Sequence, residues 1–168
     1  VEYIIGSVFY EQISIPARDN RYASEALKQF NKILNLYPNS KYAEDIKLKI
    51  DLINEQLAGK EMYIARYYMK KSNWIPAIKR LNSIIDNYGR TIYVNEALHR
   101  LVEIYYKLGN VNEAKKYAAI LGYNFNDSDW YKKTYKIIKD KNYSSINKKE
   151  NKKFRDRVIR LFNFSNDK

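Results

Sequence analysis

The sequence has no cysteine and very little glycine or proline. Without cysteine the chain forms no disulfide, no cysteine-ligated zinc site and no thiol nucleophile, and it suits either the cytosol or the periplasm. Five glycines and three prolines in 168 residues leave few of the breakers that a many-stranded fold needs at its turns. Because 45% of the residues are hydrophobic, the chain can build a core for one domain. These features favour an all-α fold.

Motifs of common catalytic and nucleotide-binding sites are also missing. The chain has no G-x-x-x-x-G-K-S/T, no G-x-G-x-x-G and no G-x-S-x-G. Its one histidine, His99, stands in a helical pattern, and a single histidine without cysteine makes no transition-metal site. Neighbouring acids such as Glu44 and Asp45 are typical of the first turn of a helix. We therefore expect a protein that is not an enzyme and that has no cofactor or metal ion.

Long hydrophobic runs are absent, and most of the net positive charge is at one end. No run approaches the 18 or so consecutive apolar residues that suggest a membrane-spanning helix. The formal charge is +12, and from Lys132 onward 13 Lys and Arg residues stand against four acidic ones, about +9. The first residues, VEYIIGSVFY, have neither a basic region nor a small-residue cleavage site. Since the chain starts at Val1, we expect it to be a C-terminal fragment of a longer protein.

Apolar residues recur at helical spacing along most of the chain, and the breaks between periodic segments predict the helix ends. The pattern runs unbroken from about residue 41 to 72, through Gly59, so we expect one long helix there. Gly89, Gly109 and Gly122 are each expected to end a later helix.

Three of the helical segments align by one small residue each. Ala26, Ala77 and Ala114 superimpose, with spacings of 51 and 37 residues. Helix pairs with short turns indicate a repeat protein, and LVEIYYKLGNVNEAKKYAAIL resembles the tetratricopeptide (TPR) repeat. The expected fold is all-α, a TPR-like α-solenoid of antiparallel helix pairs over residues 1–140. Residues 141–168 are expected to form a basic linker followed by a short amphipathic helix or a disordered tail.

A longer string of ordered motifs, between residues 37 and 91, points to one family. The motifs are Y-P-N-S-x-Y at the start, L-A-x-x-E from Leu57 to Glu61, A-x-Y-Y from Ala65 to Tyr68, and W-x-x-A-x-x-R from Trp74 to Arg80. Together they resemble the TPR lipoprotein of the bacterial β-barrel assembly machinery, the BamD (YfiO) family, over residues 1 to about 140. Family members usually have proline where this chain has Gly89. We therefore expect that turn to use the left-handed conformation open to glycine.

The resemblance implies a scaffold that takes part in outer-membrane protein assembly. The complete protein would be anchored to the outer membrane by a lipid on an N-terminal cysteine, which is absent from these residues, and would face the periplasm. Its C-terminal repeats would dock the POTRA domains of the central barrel protein. Small accessory lipoproteins and unfolded outer-membrane proteins are further partners that the resemblance implies.

Among the matched motifs, Arg80 corresponds to the family's POTRA-docking surface. A guanidinium is suited to a bidentate pair with a carboxylate of the partner. Arg66 and Tyr67, near the same turn, are secondary candidates. The alternative for Arg80 is an ordinary helix charge or an internal salt bridge. Trp74 and Ala77 are expected to be core residues, because helical spacing explains both without a partner.

Two other hypotheses stay open. A generic TPR module that grips an extended peptide would use polar residues such as Asn31, Lys79 and Lys115. A basic tail with interleaved apolar residues would bind anionic membrane lipid, or would be a solvated extension, and nucleic acid is not an expected partner. The tail residues that would contact lipid are Lys152, Lys153, Arg155, Arg157 and Arg160.

The first helix stands at an end of the predicted solenoid. Solenoid ends without a capping repeat expose apolar surface. We therefore expect the face around Tyr3, Ile4 and Val8 to be adhesive.

Overall fold

The computed structural model describes residues 1–13 and 20–139. Within these residues every regular element is an α-helix, and none of the helices has the length and hydropathy needed to span a bilayer. The helices are α1 (Glu2–Glu11), α2 (Arg21–Leu36), α3 (Ala43–Lys70), α4 (Trp74–Asn87), α5 (Tyr93–Lys107), α6 (Val111–Asn124) and α7 (Asp129–Lys139).

Consecutive helices form pairs that stack side by side. The most extensive contacts join α1 to α2, α3 to α4 and α5 to α6. Helices α3, α5 and α7 also contact one another in sequence, so they form one layer, and α2, α4 and α6 pack against it. This two-layer stack confirms the predicted all-α, TPR-like solenoid.

Small residues lie where the paired helices approach each other. Ala26, Ala77 and Ala114, which align in the sequence, are all fully buried. Ala77 belongs to a core cluster shared by α3, α4, α5 and α6, and Trp74 packs against that cluster while staying half-buried. An alanine at a helix contact lets the two backbones come close, so each pair packs along a narrow seam. The core placement of Trp74 and Ala77 is confirmed.

The long helix α3 begins and ends within two residues of its predicted bounds. Gly59 lies inside it. A Cβ atom at Gly59 would stand 3.0 Å from Oη and 3.2 Å from Cζ of Tyr93 on α5. Gly59 is therefore the point where the Tyr93 ring of α5 packs on the α3 backbone.

The turns that join one helix pair to the next repeat the same hydrogen bond. An aromatic residue accepts at its carbonyl from the N–H three residues later: Ser40 to Tyr37 (3.1 Å), Thr91 to Tyr88 (3.0 Å) and Ser128 to Phe125 (3.1 Å). Their spacings of 51 and 37 residues match those of the buried alanines. The turns are therefore alike, and the first repeat is longer than the second because α3 is longer than α5.

Gly89 occupies, after Tyr88, the place that Pro38 occupies after Tyr37. The expectation of a left-handed Gly89 is wrong, because only Ser72 and Gly109 have positive φ among the described residues. The turn at Gly89 keeps a negative φ, which proline also adopts.

The turns within pairs are the ones that use the left-handed region. Ser72 has φ of 53° and Gly109 has φ of 75°. At both turns the next N–H closes a helix-capping bond of 2.9 Å, from Asn73 to the Tyr68 carbonyl and from Asn110 to the Tyr105 carbonyl. Gly109 ends α5 as predicted, whereas Ser72 adopts the same conformation without glycine's freedom.

The sequence predicts that Gly122 ends a helix, and this prediction is wrong. Helix α6 continues to Asn124. A Cβ at Gly122 would stand 2.9 Å from Cε2 of Tyr131 on α7. As at Gly59, the glycine makes room for a tyrosine of a neighbouring helix.

The N-terminal face, which is expected to be adhesive, is exposed only in part. Ile4 and Val8 are exposed, as expected. Tyr3 instead stacks on Tyr42 with ring centroids 4.4 Å apart, and its hydroxyl donates to Asp45 at 2.8 Å. The expectation for Tyr3 is therefore wrong, since its ring is used to hold α1 on the start of α3.

The predicted change of character near residue 140 falls where the description ends. Helix α7 is described as far as Lys139. The predicted linker and short helix of 141–168 lie outside the described residues.

The contact of Tyr93 on Gly59 predicts the sign of a stability change. Helix propensity alone would make Gly59→Val stabilising, because glycine is the poorest helix former after proline. We expect Gly59→Val to lower the free energy of unfolding by about 1–3 kcal/mol, because the added methyl groups overlap the Tyr93 ring. Urea denaturation followed by circular dichroism measures this. Gln56→Val, exposed on the same helix, is the control, and a Gly59→Val protein as stable as the control would disprove the contact.

Candidate functional site

Arg80, the first candidate for partner docking, lies on α4 and pairs with Glu61 of α3. Its Nη1 donates to both carboxylate oxygens at 3.1 Å. The Arg80 side chain is 42% exposed, and that of Glu61 is 13% exposed. Nε and Nη2 of Arg80 form no hydrogen bond with the described residues. The internal salt bridge therefore forms, and it leaves one edge of the guanidinium open.

Arg66, a secondary candidate, uses the Nε and Nη2 edge of its own guanidinium to bind a carboxylate inside the molecule. Its Nε donates to Oε1 of Glu96 at 3.0 Å, and its Nη2 donates to Oε2. Glu96, on α5, is only 5% exposed. Burial raises the pKa of Glu96, but the hydrogen bond and charge of Arg66, with a further contribution from Arg100, lower it more. Arg66 thus satisfies a buried carboxylate and ties α3 to α5.

Tyr67, the other secondary candidate, is 54% exposed on α3. Tyr63, one turn earlier on the same face, is 74% exposed and was not singled out in the sequence. Their spacing of four residues, away from the buried Met62 and Ala65, was a signal that could have revealed the pair. Tyrosine and arginine are the side chains most enriched at the energetic centres of protein interfaces.

The structure does not bring the three candidates into one contact network. Glu61 and Arg66 are five residues apart on α3, so they point about 140° apart around the helix. Arg80 is bound on the flank facing α4, whereas Arg66 is bound on the flank facing α5. Tyr67 lies next to Arg66 and contacts Tyr68 edge-on. Two separate surfaces therefore flank the α3–α4 turn.

A polar network below the Arg66 pair joins α5 to α7, and the sequence did not indicate it. Arg100 bonds Glu96 at 3.3 Å and Glu103 at 2.7 Å, and its guanidinium lies 5.3 Å from the Trp130 ring. His99 is buried, with Nδ1 2.7 Å from Oγ1 of the equally buried Thr134. The inner helices α3, α5 and α7 are thus linked through side chains that the helical pattern alone does not connect.

Glu103 is the most strongly perturbed acid of this network. Burial raises its pKa, but the contacts with His99 and Arg100 outweigh that effect and lower the pKa to about 2. Nε2 of His99 lies 3.6 Å from the carboxylate. The other ring nitrogen, Nδ1, faces the Thr134 hydroxyl, so one histidine contacts both partners.

Within residues 1–13 and 20–139, the arrangement places aromatic and cationic side chains at the surface. Its exposed parts are the tyrosine pair on α3 and the open edge of Arg80, and its buried charges are occupied by one another. The candidate lipid contacts Lys152, Lys153, Arg155, Arg157 and Arg160 lie outside the described residues.

The fold defines a TPR-like helical-repeat protein, and the candidate surfaces lie beside the turn between α3 and α4. The family model of YfiO, described as outer membrane lipoprotein, matches residues 1–121. The chain belongs to this family, as its motifs had indicated.

Curated relatives carry the name outer membrane protein assembly factor BamD. The protein of Rickettsia prowazekii is 45% identical over 138 residues, 82% of this chain and 55% of the relative. That of Caulobacter vibrioides is 41% identical over 138 residues, 82% of this chain and 45% of the relative. That of Neisseria meningitidis serogroup A is 39% identical over 108 residues, 64% of this chain and 40% of the relative. The chain spans about half the length of the curated relatives that it matches.

The depressed pKa of Glu103 predicts an acid-dependent loss of stability. A carboxyl whose pKa is lower in the folded state stabilises the fold above its unfolded pKa, and this contribution disappears as the pH falls toward 2. The full contribution is about 3 kcal/mol at most. Urea denaturation at several pH values should show that Glu103→Gln loses less stability than wild type between about pH 5 and 2.

Glu25→Gln, which removes an exposed carboxylate of α2, is the matched control. Identical pH profiles for wild type and Glu103→Gln would contradict the role given to the His99, Arg100 and Glu103 contacts.

Proposed function

We propose that this chain is a non-enzymatic scaffold in the assembly of outer-membrane β-barrel proteins, and that it docks the POTRA domains of the central barrel protein. Membership of the YfiO family and the names of the relatives support the assembly role. The same relationship supports a place at the outer membrane, on its periplasmic face, held by an N-terminal lipid in the complete protein. Accessory lipoproteins and unfolded outer-membrane proteins are further proposed partners.

The open edge of Arg80 is the observation that carries the docking proposal. Arg66 shows how this edge is used, since its Nε and Nη2 grip both oxygens of Glu96. In Arg80 the equivalent atoms are free of bonds to the described residues, while Glu61 fixes the guanidinium through Nη1. A partner carboxylate can therefore add a bidentate pair without first breaking the internal one.

Fixing the side chain in advance also reduces the cost of binding. An arginine that is free to rotate loses side-chain entropy when a partner immobilises it, about 0.5–1.5 kcal/mol. Glu61 has already limited Arg80 in the free protein. Arg66, by contrast, is bonded to Glu96 and holds α3 to α5. We therefore propose that the adjoining Tyr67 and Tyr63, whose rings are exposed, contact the partner in its place.

Calorimetric titration with the soluble POTRA domains at near-physiological salt tests this proposal. We expect Arg80→Glu to weaken binding at least about tenfold, or 1.4 kcal/mol, because it replaces the attractive pair by repulsion. Lys79→Glu makes the same change of charge on the neighbouring exposed residue and is expected to leave binding nearly unchanged. Unchanged helical circular dichroism would show that both variants are folded.

Glu61→Gln separates direct contact from an effect on the fold. It removes the internal pair but keeps the Arg80 fork, so binding should persist within about threefold if Arg80 touches the partner. Equal loss of binding in Glu61→Gln and Arg80→Glu would mean that only the internal pair matters. Absence of binding by the wild type would contradict the docking function itself.

A further inference from the structure

Helix α7 presents a cationic face that the docking proposal does not use. The name "α7 face" is used for four exposed lysines and two tyrosine rings of this helix. They are Lys132, Lys133, Lys136, Lys139, Tyr131 and Tyr135. The opposite side of the helix is fixed, because Thr134 is buried against His99 and Trp130 lies beside His99 and Arg100. The orientation of the lysines is therefore set by the fold.

Two tyrosines and two lysines of this face line an open groove of about 440 Å³. They are Tyr131, Lys132, Tyr135 and Lys136. Tyr131 is seated on Gly122 of α6, which leaves room for its ring. The next residue of α6, Tyr123, is 90% exposed. The groove thus combines aromatic rings that reach the surface with ammonium groups at its rim.

Little of the positive charge on the α7 face is neutralised within the described residues. Lys132 has Asp129 at 3.3 Å, an exposed pair between neighbouring turns. The ammonium groups of Lys133 and Lys139 lie over the rings of Trp130 and Tyr135, at 4.2 and 4.5 Å, and these contacts supply no opposite charge. Lys136 has no ion-pair partner in residues 1–13 and 20–139. About +9 of the net charge of +12 is carried from Lys132 to the end of the sequence.

We propose that the α7 face binds the anionic headgroups of a lipid bilayer. A shallow groove with a charge on each helical turn fits a plane of many phosphates better than the carboxylate pairs of one protein partner. The cations are all lysines, which act as mobile point charges, whereas planar bidentate recognition favours arginine. Tyrosine rings with a polar tip prefer the headgroup region, and lysine stems can extend along apolar surface while their ammonium groups reach the phosphates. The resulting attraction requires anionic lipid and falls with salt.

Co-sedimentation of the full chain with vesicles tests the proposal. Wild type should bind phosphatidylcholine vesicles that contain about 30 mol% phosphatidylglycerol, and should not bind phosphatidylcholine alone. The double variant Lys132→Gln/Lys136→Gln should bind the anionic vesicles at least about threefold more weakly. The control, Lys28→Gln/Lys79→Gln, removes the same charge from exposed sites on α2 and α4 and should bind as wild type does.

Three outcomes would overturn the proposal. If the wild type does not bind the anionic vesicles, the α7 face does not bind lipid. Equal weakening in the α7 variant and the control would show attraction by net charge without a defined face. Loss in Lys152→Gln/Lys153→Gln, with the α7 variant unchanged, would assign the contact to the C-terminal tail.

Discussion

The buried carboxylate of Glu96 is the constraint on which the inner layer of helices depends. An ionised group this deeply buried costs several kcal/mol unless charged donors satisfy it. Arg66 from α3 and Arg100 from α5 do so, and Arg100 continues the chain of contacts to Glu103. Because His99 then links α5 to Thr134 of α7, a shift of any one inner helix would leave a buried polar group without its partner. The register of α3, α5 and α7 is therefore coupled.

This coupling separates the residues that hold the helices together from the residues that we propose for binding. Arg66 is committed to Glu96, while Arg80, only 14 residues away, is paired with a carboxylate nearer the surface through one nitrogen. The exposed tyrosines of α3 and the lysines of α7 do not take part in the buried network. Partners can thus engage these surfaces without competing for the contacts that fix the fold.

Sequence patterns predicted the elements of the fold well and the contacts between them poorly. The long helix and the spacing of Ala26, Ala77 and Ala114 follow from local periodicity, which the chain itself contains. The roles of Gly59 and Gly122 depend on tyrosines brought from other helices, which the local sequence around each glycine does not show. The partner of Arg66 is 30 residues away. Motif matching made Arg80 a candidate, and only coordinates show which nitrogens of its guanidinium are bonded inside the molecule.

The central claim is that the α3–α4 hairpin presents the docking surface for the POTRA domains. Amide hydrogen exchange of the chain, alone and with those domains, measures it over the whole fold. The account predicts new protection in the segment from residue 61 to 80, with α7 unchanged. Protection confined to α7, or to the exposed N-terminal face of α1, would contradict it.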